Sequence, residues 1–429
     1  MENPTQLRPS RPASSGRRAA VIAVIGVLAA ALAACSSGNG STATTTAPAA
    51  ATHSAQLVAC GKQGAPITIA TVGTQSGPIA ETEKDGPLAF KAWVAQVNAA
   101  GGINCHPVNY LIEDDQANPA QNLSLVKQMV EQQHVVAFVA MDAAETLEAS
   151  ESYLAGSGIP VIGGDPAWDF YYTQPNFFPQ IPMGAQNTAI AFGALSTYGK
   201  SVGKTKVGVL TCQEIAGCTN LYADAPATAK QFGLDLTWRI ETPLTTTSYT
   251  SQCLAAKAAG VQMLFMAMTP AAEDTIAAAC KQVGFDPSYS TFQNSTSPQM
   301  LTDPNLNGLI VPIGTAPWFD TAQPGVAAFQ SALKTYGDGL APSGVGMTGW
   351  VAAQLFAAAA KAVPAGVTPT AALITEGMHQ IKNDDLGGIA GPLTFPAGRN
   401  APKLDCWWVV QFNGGKTTTL DNGQRSCAS

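Results

Sequence analysis

The sequence predicts an α/β fold with two lobes, each built around a parallel sheet. From residue 67 onward, short runs rich in β-branched residues alternate with longer runs that carry apolar residues at helical spacing. Strands separated by helices of this length form βαβ units, which give a parallel sheet covered on both faces. The alternation begins again near residue 187, and the chain is long enough for two domains of ordinary size.

The first half of the chain has a regular order of strands and helices. Its helices are recognised by spacing, as in the run that contains Ala89, Trp93 and Val97. The predicted strands are 67–72, 108–112, 135–140 and 160–162, and the predicted helices are 86–100, 119–131 and 143–155.

The second half repeats this rhythm and ends in a helical tail. Its predicted helices are 187–198, 220–232, 251–259 and 271–283, and its predicted strands are 206–210, 234–240 and 263–268. The tail adds predicted helices at 326–336, 348–363 and 370–381, and a strand pair around 393–395 and 407–412.

The N-terminus has the pattern of an export signal. Four arginines precede an apolar run at 19–34, which is shorter than the roughly 20 residues of a spanning helix, so residues 1–34 are predicted to be a signal peptide. The small residues before Cys35 resemble a bacterial lipobox, in which the cysteine is acylated and becomes the new N-terminus. An ordinary cleavage site beside a coincidental cysteine is the alternative. Arg17 and Arg18 would also suit twin-arginine export, but nothing else around them supports that route.

Composition indicates how the exported protein contacts its surroundings. Residues 35–59 are predicted to be a lipidated cysteine followed by a flexible tether, because the stretch 36–54 is nearly all Ser, Gly, Thr, Ala and Pro. Removal of residues 1–34 takes away four arginines and one glutamate, which changes the formal charge from −7 to −10. Such an acidic protein lacks the basic surface that nucleic acid requires. We therefore expect a monomer held at the outer face of the cell membrane by lipid.

Eight further cysteines follow Cys35, and an even number in an exported chain indicates disulfides. Eight cysteines allow 105 pairings in principle, but their order suggests that neighbours pair. A zinc site is the rival use of cysteine, yet there is no C-x-x-C motif and the four histidines are scattered. We therefore predict no metal and no other cofactor. The predicted disulfides are Cys60–Cys105, Cys212–Cys218, Cys253–Cys280 and Cys406–Cys427.

Enzyme motifs are present only in the wrong context. The sequence G-x-S-x-G at 199–203 runs from a predicted helix into a strand, whereas a nucleophile elbow needs a strand that turns into a helix. The sequence G-x-G-x-x-G at 344–349 follows a loop, so it lacks the preceding strand of a dinucleotide site. We therefore expect glycines that lead into a helix from Thr348, and a protein that is not an enzyme.

Ligands of open parallel sheets bind beyond the carboxyl ends of the strands. The loops in that position directly follow predicted strands, and they are the loops in which binding residues are expected. They are 73–82, 141–146, 163–172, 211–218, 269–270 and 293–297.

Five sequence fragments in order make the chain resemble the solute-binding proteins of branched-chain amino-acid ABC transporters, the leucine/isoleucine/valine-binding class. The fragments are QSGP at 75–78, NAAGGI at 98–103, IEDDQ with NPA at 112–120, SGIPVI at 157–162 and GPLTF at 391–395. The resemblance implies a type I periplasmic binding protein fold, with two Rossmann-like lobes joined by a three-crossover hinge. It also implies capture of a small polar solute, such as an amino acid or amide, for delivery to an ABC permease. A ligand sensor of the same fold that signals to a membrane receptor is the alternative.

The resemblance also places the lobes and the ligand. Lobe one would hold 64–185 and 315–385, and lobe two would hold 186–314 and 386–429. In the family, a hydroxyl-rich loop after the third strand grips the ligand carboxylate, but the corresponding loop at 141–146 retains only one hydroxyl and has gained two carboxylates. An acidic residue that holds the ligand ammonium in the family aligns near Asn294.

The carboxylates in these loops favour a ligand that bears donors or positive charge, because a carboxylate repels another carboxylate and binds amines. The alternative for Asp142 is a helix cap, since Asp often precedes a helix start. The loop aromatic Trp168 suits either ligand contact or packing. The predicted ligand-binding residues are Ser76, Asp142, Glu145, Thr146, Asp165 and Trp168 of lobe one and Glu214, Thr269 and Asn294 of lobe two.

Overall fold

The structure is a computed structural model, and it describes residues 60–77 and 79–428. The predicted signal peptide, the predicted lipidation at Cys35 and the predicted tether lie outside the described residues. No helix in the described part of the chain is long and apolar enough to cross a membrane.

Five parallel strands form the first sheet, in the order β2-β1-β3-β4-β5. The strands β1, β3 and β4 are buried along nearly their whole length, as expected where helices cover both faces of a parallel sheet. The strand bounds are β1 Ile67–Gly73, β2 Val108–Asp114, β3 Ala137–Met141, β4 Val161–Gly164 and β5 Phe177–Phe178.

The helices of this part are α1 Ala80–Glu83, α2 Asp85–Ala99, α3 Pro119–Glu131, α4 Glu148–Ser157 and the 3-10 helix Asp169–Tyr172. Helix α3 starts where the sequence suggests. The side chain of Asn118 accepts hydrogen bonds from two backbone N–H groups of the first turn, and Pro119 fits the first helical position. Helix α4 begins five residues later than predicted, because residues 144–147 form a turn.

The second sheet is mixed: it contains parallel strands as predicted, together with an antiparallel edge at β11. Strands β6 to β10 run parallel, whereas β11 is antiparallel to β10 and pairs with β12 and β13. The bounds are β6 Lys206–Thr211, β7 Asp235–Glu241, β8 Met263–Ala267, β9 Ser288–Thr291, β10 Leu309–Ile313, β11 Cys406–Asn413, β12 Lys416–Thr419 and β13 Ser426–Cys427. The predicted pairing of a strand at 393–395 with a strand at 407–412 was wrong. Strand β11 already pairs with β10, β12 and β13, and Leu393 forms an isolated bridge with Asp384.

The remaining helices divide between the two sheets. They are α5 Gly184–Val202, α6 Ala216–Gln231, α7 Thr250–Ala258, α8 Pro270–Gln282, α9 Pro324–Tyr336, α10 Gly344–Ala360, α11 Ala371–Gln380 and the 3-10 helices Gln293–Ser295, Pro298–Leu301 and Asp421–Gly423. Helix α5 packs on α6 and on β10 of the second sheet. Helix α10 packs on α2, on α11 and on the strands β3 and β4 of the first sheet. We call the first sheet with its helices the first lobe, and the second sheet with its helices the second lobe. The chain passes between them at 179–183, 314–323 and 381–405, which confirms the three-crossover type I fold.

The two glycine motifs found in the sequence have structural positions. The G-x-S-x-G segment is the end of α5, and Gly203 terminates that helix with a positive φ of 69°, which glycine adopts without strain. The G-x-G-x-x-G segment forms the start of α10, which therefore begins four residues before the predicted Thr348. A Cβ on Gly349 would meet the backbone of Gly86 in α2. The small residue thus permits close packing of α10 on α2.

Within the described part of the chain, four disulfides form with the predicted pairing. Cys60–Cys105 joins the segments that precede β1 and β2, with a Cα–Cα distance of 5.5 Å. Cys253–Cys280 joins α7 to α8 at a Cα–Cα distance of 4.9 Å. The other two disulfides are Cys212–Cys218, which closes a short loop after β6, and Cys406–Cys427, which ties β11 to β13.

Candidate functional site

A cavity lies where the carboxyl ends of the two sheets face each other. The space open to the centre of a water-sized sphere is about 90 Å³, several times the roughly 10–15 Å³ that one water needs by this measure. Its walls come from segments that follow β1, β3 and β4 of the first lobe and β6, β7, β8 and β9 of the second. The lining residues are Ile79, Thr82, Glu83, Ala144, Asp165, Pro166, Ala167, Asn187, Cys212, Ile215, Gly217, Cys218, Leu244, Ala267, Met268, Thr269, Phe292, Asn294 and Ser295.

Asp165 brings a carboxylate from the first lobe into this cavity. It directly follows β4, and it is only 5% exposed. Its Oδ1 accepts a hydrogen bond from the backbone N–H of Ala167 at 2.7 Å, and its Oδ2 accepts one from Nδ2 of Asn294 at 3.2 Å. Burial raises the pKa of Asp165 to about 6 despite these two hydrogen bonds. The bond to Asn294 crosses from one lobe to the other.

Glu83 is the second carboxylate of the cavity, and sequence reasoning missed it. It ends the short helix α1, yet it is only 1% exposed. Its hydrogen-bond donor is the backbone N–H of Ala144, which lies 3.3 Å from both carboxylate oxygens. Burial is the largest cause that raises the pKa of Glu83 well above its ordinary value, and the nearby carboxylates of Asp165 and Asp142 raise it further.

The second lobe supplies neutral and apolar groups. Thr269 follows β8 and caps α8, where its Oγ1 accepts the N–H of Ala272 at 3.4 Å. Asn294 follows β9, is 8% exposed, and its Oδ1 has no hydrogen-bond partner among the described residues. The Cys212–Cys218 disulfide lines the same wall. The larger apolar residues of the cavity are Ile79, Ile215, Leu244, Met268 and Phe292.

The two lobes also meet beside the cavity through Gln293. Its Nε2 donates to the backbone carbonyl of Gly344 in the first lobe at 2.7 Å. Its Oε1 accepts the backbone N–H of Gly314, in a segment that passes between the lobes, at 3.1 Å. Such contacts between lobes exist only while the lobes are close together.

Three of the nine predicted binding residues line the cavity, namely Asp165, Thr269 and Asn294. Ser76 is exposed, and its Oγ donates to Asp114 at 2.6 Å. Thr146 is fully buried, and its Oγ1 donates to Asp115 Oδ2 at 2.5 Å.

The other predicted residues lie around the cavity. The indole Nε1 of Trp168 donates to the carbonyl of Ala143 at 3.4 Å, and its ring stacks on Phe170. Glu214 accepts the backbone N–H of Leu244 at 3.1 Å. Burial, and secondarily the charge of Glu214, raises the pKa of the half-buried Glu145. A role of these residues in ligand binding stays a prediction.

Asp142 does not line the cavity, and its carboxylate lies against Gly86 of α2. It is 1% exposed, and its Oδ2 has no hydrogen-bond partner among the described residues. This oxygen occupies the place where a Cβ on Gly86 would lie. Burial, followed by the charges of Asp165 and Asp85, raises the pKa of Asp142 well above its ordinary value. The alternative interpretation as a helix cap does not fit, since α4 starts six residues further on.

Among the described residues, the ionisable side chains that line the cavity are Glu83 and Asp165. Lys, Arg and His are absent from the described residues that line the cavity. The ion pairs found among residues 60–77 and 79–428 are Lys281–Asp286 and Arg425–Asp385, neither of which involves a cavity residue. In the same part of the chain, the one cluster with metal-ligand spacing contains Cys406 and Cys427, whose sulfurs are joined in a disulfide.

The fold and the position of the cavity define a two-lobed binding protein of the periplasmic type. Residues 66–417 match the family model described as periplasmic binding protein, and the chain therefore belongs to this family. No curated protein sequence matches the chain.

Solved structures share the fold at low sequence identity. A branched-chain amino-acid ABC transporter structure from Thermus thermophilus with bound valine has a TM-score of 0.74 and 14% identity, and the match covers 86% of this chain and 97% of that one. A solute-binding protein from R. palustris in complex with benzoate has a TM-score of 0.69 and 16% identity, with coverage of 85% and 98%. A fatty acid ABC transporter substrate-binding protein from Thermomonospora curvata has a TM-score of 0.70 and 16% identity, with coverage of 86% and 95%.

Proposed function

We propose that this protein captures a small polar solute outside the cell membrane and delivers it to an ABC permease. The solute would be an amino acid, an amide or a related compound. The observation that carries the proposal is the cavity at the facing carboxyl ends of the two sheets, which has walls from both lobes. Open α/β sheets bind ligands at these ends. The solute-binding proteins with which the chain shares its fold support the same function.

Closure of the two lobes would couple capture to delivery. A solute held by Asp165 of the first lobe gains the contacts of Thr269 and Asn294 only when the second lobe approaches. Because a ligand shifts an equilibrium toward the state that it binds more tightly, the solute would favour the closed arrangement. The permease would then recognise a surface that forms when the lobes close.

We further propose that the protein is anchored to the outer face of the membrane through lipid on Cys35. The arginines, the apolar run and the small residues before Cys35 support this proposal. Replacement of Cys35 by alanine should release the protein or leave it unprocessed, and membrane fractionation measures this. A variant that stays membrane-bound at its mature size would show that another anchor holds it.

Native mass spectrometry of protein purified from its host tests solute capture. We expect native mass spectrometry to show a retained small molecule that dissociates when the protein is unfolded. In calorimetry, the same molecule should bind the refolded protein with one-to-one stoichiometry. The matched control is the same measurement on protein that was unfolded, dialysed and refolded. Recovery of protein without any retained molecule, together with no binding from a broad solute library, would contradict the proposed function.

A further inference from the structure

We propose that the solute of this cavity is a compact organic cation, with an ammonium or amidinium head on a small apolar body and without a free carboxylate. This inference rests on the proposed function and narrows its range of solutes for the same cavity: it keeps amine-bearing compounds and excludes free amino acids, which carry a carboxylate.

The first observation is the charge of the lining. Its two ionisable side chains, Glu83 and Asp165, are carboxylates that are 1% and 5% exposed, and the lining contains no Lys, Arg or His within the described chain. The neutral lining groups, such as Thr269, can serve as donors or acceptors according to the ligand. The fixed charge of the cavity is therefore negative, and a cation is the partner that buried carboxylates require.

The second observation is an unpaired acceptor in the same wall. Asn294 is more than nine-tenths buried, and its Nδ2 is committed to Asp165. Its Oδ1 has no hydrogen-bond partner within the described part of the chain. Buried acceptors are almost always paired in folded proteins, so a donor from the ligand is expected next to Asp165. An ammonium has three N–H groups, so it can donate both to Asn294 Oδ1 and to a carboxylate oxygen of Asp165.

The third observation concerns the donors that an anionic ligand would need. In the loop after β3, the N–H of Ala144 already donates to Glu83, and the hydroxyl of Thr146 already donates to Asp115. The protein's own carboxylates thus occupy these two donors. A ligand carboxylate at this edge would find Glu83 in its place and both of these donors already taken.

The body of the ligand follows from the remaining lining. Five aliphatic, thioether or aromatic side chains line the cavity beside the carboxylates. These side chains are Ile79, Ile215, Leu244, Met268 and Phe292. The space open to the centre of a water-sized sphere, about 90 Å³, corresponds to about six to nine waters at roughly 10–15 Å³ each, which suits a compact ligand.

Four probes of similar shape test the proposal by calorimetry at pH 7.5. They are 3-methylbutylamine, 3-methylbutan-1-ol, L-leucine and 4-methylpentanoate. The amine should bind at least about ten times more tightly than the other three, because it alone combines a positive charge with no carboxylate. Glu83→Gln and Asp165→Asn should each weaken amine binding by about ten- to a hundred-fold. Glu81→Gln is the matched control, since Glu81 lies in the same helix and is exposed; its affinity should equal that of the unmodified protein.

The dependence on pH gives a readout that loss of folding would not imitate. Burial raises the pKa of Asp165 to about 6. Its charge interacts with Glu83, Asp142 and Tyr171, while Asp85 acts on Asp142 and Asp115 acts on Glu83. Because the amine binds the ionised form, its affinity should fall by up to about tenfold per pH unit below 6. In Asp165→Asn this dependence should weaken.

Two results overturn the proposal in distinguishable ways. If L-leucine or 4-methylpentanoate binds more tightly than the amine, the ligand class is wrong and solute capture stands. If the amine does not bind at all, the ligand class is again wrong. The proposed function fails as well only when native mass spectrometry finds no retained solute and a broad solute library shows no binding.

Discussion

Buried carboxylates occur in two regions of the first lobe, and they differ in how completely hydrogen bonds satisfy them. Asp115 is fully buried beneath the loops that follow β1 and β3. Its carboxylate accepts hydrogen bonds from Thr74 Oγ1 at 2.9 Å, Ala117 N at 3.0 Å, Asn122 Nδ2 at 2.8 Å and Thr146 Oγ1 at 2.5 Å. Such a carboxylate is held by fixed donors and has no need of a ligand.

Glu83 and Asp165 are buried to a similar extent, but they have fewer donors. Glu83 shares one backbone N–H at 3.3 Å between its two oxygens, and Asp165 receives two hydrogen bonds. Buried charge that is not fully paired costs stability, whereas a complete network fixes a structure. Asp115 is thus satisfied by the fold itself, whereas the incomplete pairing of Glu83 and Asp165 supports the proposal that they bind the ligand, at the expense of stability in the empty protein.

Loss of Asp115 should have the largest effect on stability. Asp115→Ala removes the acceptor for three side-chain donors that are buried with it, so we expect the free energy of unfolding to fall by about 3–5 kcal/mol. Denaturation by guanidinium chloride with the disulfides intact measures this. Asp235→Ala, at an exposed position at the start of β7, is the control and should change stability by less than about 0.5 kcal/mol. Equal stability of the two variants would refute the contrast.

Asp165→Asn should act in the opposite direction. Burial raises the pKa of Asp165 from 3.8 to about 6, so the folded protein holds this proton more tightly than the unfolded chain does. The contribution of this group to the free energy of unfolding is fully present below about pH 4 and is lost as the pH rises through about 6. The loss amounts to about 3 kcal/mol.

The Asp165→Asn variant does not show this loss, because asparagine does not ionise. We expect ligand-free Asp165→Asn to be about 1–3 kcal/mol more stable than the unmodified protein at pH 7.5, and similar to it at pH 4. Chemical denaturation at both pH values measures the difference. A difference of the same size at pH 4 and pH 7.5 would mean that ionisation of Asp165 is not its cause.

Asp142 is an intermediate case, because it is buried like Asp115 yet has an unpaired Oδ2. In the ligand-free protein, Asp142→Asn should raise the free energy of unfolding at pH 7.5 by about 1 kcal/mol, since burial and the charges of Asp165 and Asp85 oppose its ionisation. Chemical denaturation measures this. Amine affinity should change little, because Asp142 does not line the cavity. A tenfold loss in calorimetry would instead support the ligand contact predicted from sequence.

The parts of the fold that the sequence predicts are those with a strong local pattern. The strands β3 and β8 are buried on both faces and therefore read as continuous apolar runs. Strand β9 was missed, because its sequence Ser-Tyr-Ser-Thr at 288–291 has no such run although three of its four residues are buried. Strand β10 was missed although it is an apolar run; it contains Pro312, and proline is unusual in a central strand. The antiparallel edge of the second sheet was missed because strand direction is set by the long connection from β10 to β11, which leaves no local signal.

The residues of the cavity were predictable where they directly follow the end of a strand. Asp165 and Thr269 follow strand ends within two residues, and the general rule for α/β sheets points to such positions. Thr146 lies in a loop of the same kind, five residues after β3, but its side chain donates to Asp115 and does not line the cavity. Glu83 belongs to a charged run at 81–85 that is typical of an exposed helix start. The spacing of Ile79, Thr82 and Glu83, three and four residues apart, was the one available sign that they share a face.

Replacement of Ser76 should have the smallest effect. It distinguishes the binding site that the sequence predicts, which includes Ser76, from the cavity in the structure, which does not. Its hydroxyl is exposed and donates to Asp114 Oδ2 at 2.6 Å, while Asp114 Oδ1 still accepts the N–H groups of Gln75 and Gln116. Ser76→Ala should therefore cost less than about 0.5 kcal/mol of stability. Calorimetry should show unchanged affinity for 3-methylbutylamine, because Ser76 does not line the cavity. A loss of tenfold or more with unchanged stability would place Ser76 on the ligand, and the contrast between Asp115 and the cavity carboxylates would then no longer identify the binding residues.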